Sequence, residues 1–154
     1  RRHGGNNNTI RAIKERKFMA KVKEATELLY VIPNKPGAVA VLTKAVSRTR
    51  TDILATMSWL SSTDPDKSYC KMITSNTPKA VQAIKKLGYE VKKYPVLMVD
   101  LPNRPGAFFP IAQKIADAGI NINYHYATTS GTKAQMVLST NNDHKATRII
   151  NRCR

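Results

Sequence analysis

The sequence predicts an α+β protein in which one strand-helix-strand-strand-helix-strand unit is built twice, with antiparallel sheets and helices on one face. Three observations carry this. The hexapeptide Pro33-Asn34-Lys35-Pro36-Gly37-Ala38 returns 69 residues later as Pro102-Asn103-Arg104-Pro105-Gly106-Ala107, with only Lys exchanged for Arg. Each copy ends an apolar run and opens a segment of helical period. The apolar positions beyond it keep the same offset through a helix and a strand.

The elements follow in order. Leu28, Leu29, Val31 and Ile32 in the first copy, and Val96, Leu97, Val99 and Leu101 in the second, form the opening strands. Val39, Leu42 and Val46 fall on Phe108, Ile111 and Ile115, an i, i+3, i+7 stripe that predicts an amphipathic helix. Ile53, Ala55 and Met57 fall on Ile122, Tyr124 and Tyr126 and predict a strand with that parity on the core; on the same parity Tyr124 and Tyr126 are expected to face the helices. A turn and a third strand come next, Tyr69 to Thr74 and Ala134 to Leu138, with the shorter loop in the second copy. Second helices are expected from about Pro78 to Leu87 and from about Asp143 to Arg152. In the first copy Gly88 stops the helix and Tyr89-Glu90-Val91 begins a fourth strand. In the second copy the chain reaches Arg154 opposite Gly88, so the last strand is absent or supplied by another segment.

This order is the split pattern of ferredoxin-like folds. With the doubled Pro-Asn-x-Pro-Gly-Ala turn, the helix after it and Asn121-Ile122 leading a strand, the chain resembles tandem ACT-domain proteins, regulatory modules that bind amino acids, over about residues 26 to 154. The likeness is greatest to stand-alone proteins of two such domains. It implies a first unit over 19–94 and a second over 95–154, after a polar, basic stretch at 1–18 that reads as a tail or tag, with Met19 a plausible native start.

The turns themselves suggest a binding mode. Pro36 and Pro105 fix φ, Gly37 and Gly106 permit conformations closed to other residues, and the first amides of a helix lack intrahelical partners. Gly37 with Ala38, and Gly106 with Ala107, are therefore expected to present N–H groups to a carboxylate at the positive end of the helix dipole. A tight turn alone explains the same residues. Asn34 and Asn103 are candidates to cap the helices or to touch ligand. The resemblance implies that Asn121 accepts from a ligand ammonium while Ile122 lines the pocket. The first copy departs from this with Asp52-Ile53, whose acid repels a ligand carboxylate but attracts its ammonium, so that copy is expected to bind differently or not at all; Arg104 adds positive potential near the carboxylate at the second turn, and the second site is expected to dominate.

Composition sets the rivals. The 154-residue chain carries a net charge of +16, and because the first eighteen residues hold six Lys or Arg against Glu15, the remainder keeps +11. That surplus supports a basic nucleic-acid-binding protein with the same fold, a reading weakened by the lack of interleaved aromatics in the third strands. Lys85, Lys86, Lys92 and Lys93 read as a solvated rim. Enzymatic readings have less behind them. His3, His125 and His144 have no metal-ligand spacing with Cys70 or Cys153, and His125 reads as a surface or interface histidine. Ser130-Gly131-Thr132-Lys133 lacks the phosphate-loop order and reads as a turn, and no nucleophile elbow is present. Tyr30, Trp59 and Tyr69 read as core or interface aromatics. We therefore expect no catalysis, no metal and no cofactor. Two cysteines without a framework suggest a reducing, cytoplasmic setting, and no apolar run approaches the roughly 20 residues of a membrane span. Unprotected strand edges predict a homodimer.

Overall fold

The computed structural model of the chain describes residues 20–152. The stretch at 1–18, Met19 and Cys153 lie outside them. In order come β1 (Lys21–Pro33), α1 (Ala38–Ser47), β2 (Ile53–Leu60), β3 (Lys67–Thr74), α2 (Thr77–Lys86), β4 (Lys92–Pro102), α3 (Phe109–Asp117), β5 (Ile122–Ser130), β6 (Lys133–Thr140) and α4 (Asp143–Asn151). All six strands join one antiparallel sheet in the order β2-β3-β1-β4-β6-β5, which is two ferredoxin-like units in tandem.

The strand absent after α4 is supplied from the other end of the described chain. β1 pairs with β3 from Leu28 to Pro33 and with β4 from Lys21 to Leu29. Its C-terminal half is thus the first strand of one unit and its N-terminal half the fourth strand of the other. β4 has the same double role. Lys92 and Lys93 pair with Leu29 and Leu28 to close the first unit, while Leu97 to Pro102 pair with β6 and open the second. The fourth strand expected at Tyr89-Glu90-Val91 begins instead at Lys92. Tyr89 and Val91 turn their side chains onto the first helical core and leave the ladder to the lysines beyond.

Helices cover one face. Leu28, Tyr30, Ile32, Leu42, Val46, Met72 and Ile84 form the first core, and Leu97, Val99, Ile111, Ile115, Leu138 and Ile150 the second. Burying each such aliphatic side chain is worth roughly 1.5–3 kcal/mol. The stripe of α1 is Ala38, Leu42 and Val46, not the expected Val39, which is 52% exposed. Residue 39 lies one position past the buried Ala38 on the helical wheel, so it turns outward with Val41.

The expected face of Tyr124 and Tyr126 is also corrected. The register slips by one residue between Ile53 and Ala55 and again between Ile122 and Tyr124. Ile53 and Ile122 therefore pack with the helices, whereas Ala55, Tyr124 and Tyr126 pack on the opposite face with Ile73, Val96, Met98 and Val137.

Two predictions follow from these arrangements. Lys23 is an exposed residue whose backbone pairs with Met98 on β4. Lys23→Pro removes a ladder donor there and should cost about 1–3 kcal/mol in urea unfolding, with lost amide-exchange protection at Met98 and Asp100, the β4 residues opposite Lys23 and Lys21. Loss confined to β3 would contradict the double role of β1.

Burial pushes the Cys70 thiol up to about 11 from an ordinary 9.0, and burial followed by the neighbouring Cys70 raises Tyr30 as well. Both shifts favour the neutral form in the folded state. Their contribution is complete below the unfolded thiol's pKa and is lost as pH climbs through the folded value, about 2 kcal/mol between pH 8 and 10.5 for Cys70 alone. Denaturant midpoints should fall over that interval and fall less in Cys70→Ala; identical slopes would refute the assignment.

Candidate functional site: the duplicated turn and the inner sheet face

At the first turn Gly37 caps α1 with φ 87°, and at the second Gly106 has φ 76°. Both values lie in the left-handed region that glycine enters freely. The asparagines do not cap the helices. Asn34 donates its amide hydrogen to Pro65 O at 2.9 Å and its backbone N–H to Asp66 O, and Asn103 does the same to Gly131 O at 2.9 Å and Thr132 O. Each turn is thereby bolted to the hairpin loop of its own unit. Pro36, Pro105 and Arg104 are exposed beside it.

The expected donors shift by one residue. Ala38 N–H is used by Lys35 O and Ala107 N–H by Arg104 O, each at 3.2 Å, while both alanine side chains are buried. Among the described residues Gly37, Val39 and Ala40 keep unpaired amides at the first turn, and Gly106 and Phe108 at the second. The difference has a sequence cause. Val41 donates to Gly37 O, but its counterpart is Pro110, which has no N–H, so α3 starts at Phe109 rather than at the counterpart of Ala38. Phe108 then packs beside His125, ring centroids 5.4 Å apart, which places that histidine on the helix side of β5.

Asp52 and Asn121 occupy equivalent joints. Asp52 N–H donates to Ser75 Oγ and Ser75 N–H to Asp52 O; Asn121 N–H donates to Asn141 Oδ1 and Asn141 N–H to Asn121 O. Both side chains are exposed, with Ile53 and Ile122 half-buried behind them. Among the described residues, none of five surface cavities is lined by both the turn of a unit and its Asp52 or Asn121 joint.

One cluster was not foreseen. Glu27, fully buried on the inner face of β1, accepts hydrogen bonds from the hydroxyls of Tyr124 and Tyr126 and pairs with Lys71 Nζ at 3.0 Å. Lys71 Nζ also lies 3.2 Å from the centre of the Tyr124 ring. In a flat sheet β3 and β5, four spacings apart, would be about 19 Å from one another. No lysine reaches that far, so the sheet curls, and β2 and β5 border one cavity of about 300 Å³. Burial, then Glu27, raises both tyrosines' pKa, so they stay neutral donors. A glutamate inside β1 was the only sequence signal, and nothing marked partners 97 and 99 residues away.

Among the described residues no three His, Cys, Asp or Glu side chains converge as a metal would need, and no helix is long and apolar enough to cross a membrane. Lys71→Met should cost about 3–5 kcal/mol because it strands a buried carboxylate, and Glu27→Leu with Lys71→Met should recover most of it. Thermal unfolding of the three proteins checks this; equal loss in the single and double variants would mean the pair does not act as a unit.

Comparison with known proteins accords with this architecture. A family model described as an ACT domain pair matches residues 24–153. No curated protein matches the sequence. Among solved structures, the chain is similar in fold to a protein from Bacteroides thetaiotaomicron, with TM-score 0.76 and 22% identity, covering 84% of this chain and 88% of that one. It is similar also to the ligand-free regulatory subunit of aspartate kinase from Thermus thermophilus, with TM-score 0.63, 13% identity and coverage of 87% and 95%. Aspartate kinase from Clostridium acetobutylicum gives TM-score 0.59 and 14% identity, over 88% of this chain and 34% of that one. With a model spanning nearly all the described residues and the doubled turn at equivalent places in two units, the chain belongs to the ACT domain pair family.

Proposed function

We propose that the protein is a non-catalytic regulatory module that binds a free amino acid or a similar small zwitterion. The observation that carries this reading is the paired turn, in which a left-handed glycine presents free amides at a helix start in both units. Those amides suit a carboxylate, and the helix dipole adds to them. Asn121 offers an unbonded side-chain carbonyl for an ammonium, and family membership and the regulatory subunit among its fold-mates support the same class of role. Beyond the net positive charge, no observation favours nucleic acid. Tyr124 and Tyr126 turn in to Glu27, so they offer no platform for bases.

Because turn and joint share no main cavity within one chain, the site we propose is completed in a homodimer, where the turn of one copy faces the β5 joint of another. The open edges of β2 and β5 support such pairing. The first turn has more free amides, and Lys35 and Arg104 give the two turns the same charge, but Asp52 at the first joint repels a ligand carboxylate where neutral Asn121 does not. That difference favours the second, with Asn103, Arg104, Pro105 and Ile122 framing it and Asn34, Pro36, Gly37, Ala38 and Ile53 as the weaker counterpart. The Cys70 thiol, buried and free, suits a reducing compartment such as the cytoplasm.

A thermal-shift screen of the free amino acids should find one that raises the transition by mass action. Gly106→Val should abolish that shift, because the left-handed turn is strained and its amides are covered. Asn121→Ala should weaken binding by about 1–3 kcal/mol in calorimetry without unfolding the protein. Equal loss from Gly37→Val would refute a dominant second site, and no shift with any amino acid would refute the reading.

A further inference from the structure

We propose that the groove between α1 and α2 docks an acidic, amphipathic helical segment of a partner protein. The groove is a cavity of about 550 Å³ on the outer side of the first helix pair. Ala45, Ala83 and Leu87 line it with apolar surface, and Arg48, Lys79 and Lys86 line it with exposed cations. The lining follows helical spacing on both sides. Ala45 and Arg48 continue the line begun by the exposed Val41, and Lys79, Ala83, Lys86 and Leu87 are one stripe of α2. Two such stripes side by side form the seat into which a third helix packs.

Charge specifies the occupant. Neither α1 nor α2 contains a single acidic residue. The two ion pairs among the described residues are Lys67 with Asp64 and Lys71 with Glu27, so Arg48, Lys79 and Lys86 have no acidic partner there. An occupant with an apolar stripe flanked by Asp or Glu buries the former on the alanines and sets the latter against the cations. Exposed charges of this kind steer and orient, while the apolar centre holds.

The second unit is an internal control. The same alignment places Lys114 where the first unit has Ala45, Asp117 for Arg48 and Ile149 for Ala83. Two small residues are thus replaced by large ones and a cation by an anion. Lys145 Nζ, the counterpart of Lys79, donates to Ala118 O at 2.8 Å, and Asp117 accepts from Gln113. The seat exists on the first helix pair because alanines leave room for it. The helices are ten residues each, about 15 Å, so the occupant spans about three turns.

The test uses the whole chain and a fluorescein-labelled peptide of about 14 residues, with leucine at i, i+3, i+4 and i+7 and glutamate elsewhere, read by anisotropy. The protein should bind it about tenfold or more tightly than a scrambled peptide of the same composition. Ala45→Leu, which fills the seat without changing charge, should weaken binding about tenfold, and so should Arg48→Glu with Lys86→Glu; thermal unfolding confirms that each folds. If Ala45→Leu does not fold, the exposed charge variant carries the test. Lys114→Glu should leave affinity unchanged. Equal binding of the scrambled peptide, unaltered affinity in the folded variants, or an equal loss from Lys114→Glu overturns the proposal. So does displacement of the peptide by single-stranded RNA at lower concentration than by unlabelled peptide, since the surface would then be a phosphate track.

Discussion

Two strands that each serve both units are the constraint on which this molecule depends. β1 is 13 residues long and β4 is 11, about twice the usual strand, and each gives one half to its own unit and the other to its neighbour. Neither unit has a complete four-stranded sheet without the other. A 60- to 70-residue domain has little core to spare, and the exchange joins two marginal cores beneath a single hydrogen-bonded sheet. It also explains why the chain carries seven predicted strand segments but six strands: the end of one unit and the start of the next are the same element.

The curl of the sheet follows from the exchange. Antiparallel strands twist by roughly 20–25° against each neighbour, and six in a row bring the inner faces of the two units toward one another. Val96, Met98, Ile73 and Val137 are buried there with no helix above them. Glu27 at the centre is fully buried, and the worth of its cluster is specificity more than stability, since a buried ion pair gains little over apolar groups of equal size. What it sets is the distance between β3 and β5. The inner faces are thus spent on packing, which leaves the turns, the strand edges and the outer helical layer as surfaces that can meet other molecules.

Much of this was legible in the chain. The doubled hexapeptide located both strand-to-helix turns, and Gly37 and Gly106 take the left-handed conformation their type implied. Alternation and helical period found every helix and placed the third strands within a few residues. What failed was parity. A period of two assigns a face only while the register is unbroken, and one extra residue at Leu54 or Asn123 sends Tyr124 and Tyr126 to the side opposite Ile122. The strand exchange was equally hidden, because Lys21 to Thr26 is mostly polar, with its alternation broken at Lys23-Glu24. Pairings across 97 residues leave no trace in local pattern. At the candidate site, residue types showed where free amides gather, but which amides remain free depended on whether Val41 or Pro110 follows the glycine.

The two copies have diverged at several of the surfaces that the shared fold leaves open. Proline at 110 shortens α3 and withdraws an amide from the second turn, while neutral Asn121 makes its surroundings less negative than those of the first, where Asp52 stands. On the helical layer the sense is opposite: the first pair keeps small residues and unpaired cations, and the second is filled by Ile149 and Lys114 and closed by Lys145. A duplication kept only to complete the sheet would need to preserve the buried positions, and those are the ones that match, Leu42 with Ile111, Val46 with Ile115, Ile84 with Ile150. Exposed differences include the helix start after the turn, the joint and the groove. On the two functions proposed above, they divide the molecule into a half that holds the small ligand and a half that meets an acidic partner, and the strands that both halves share are the physical route by which one could influence the other.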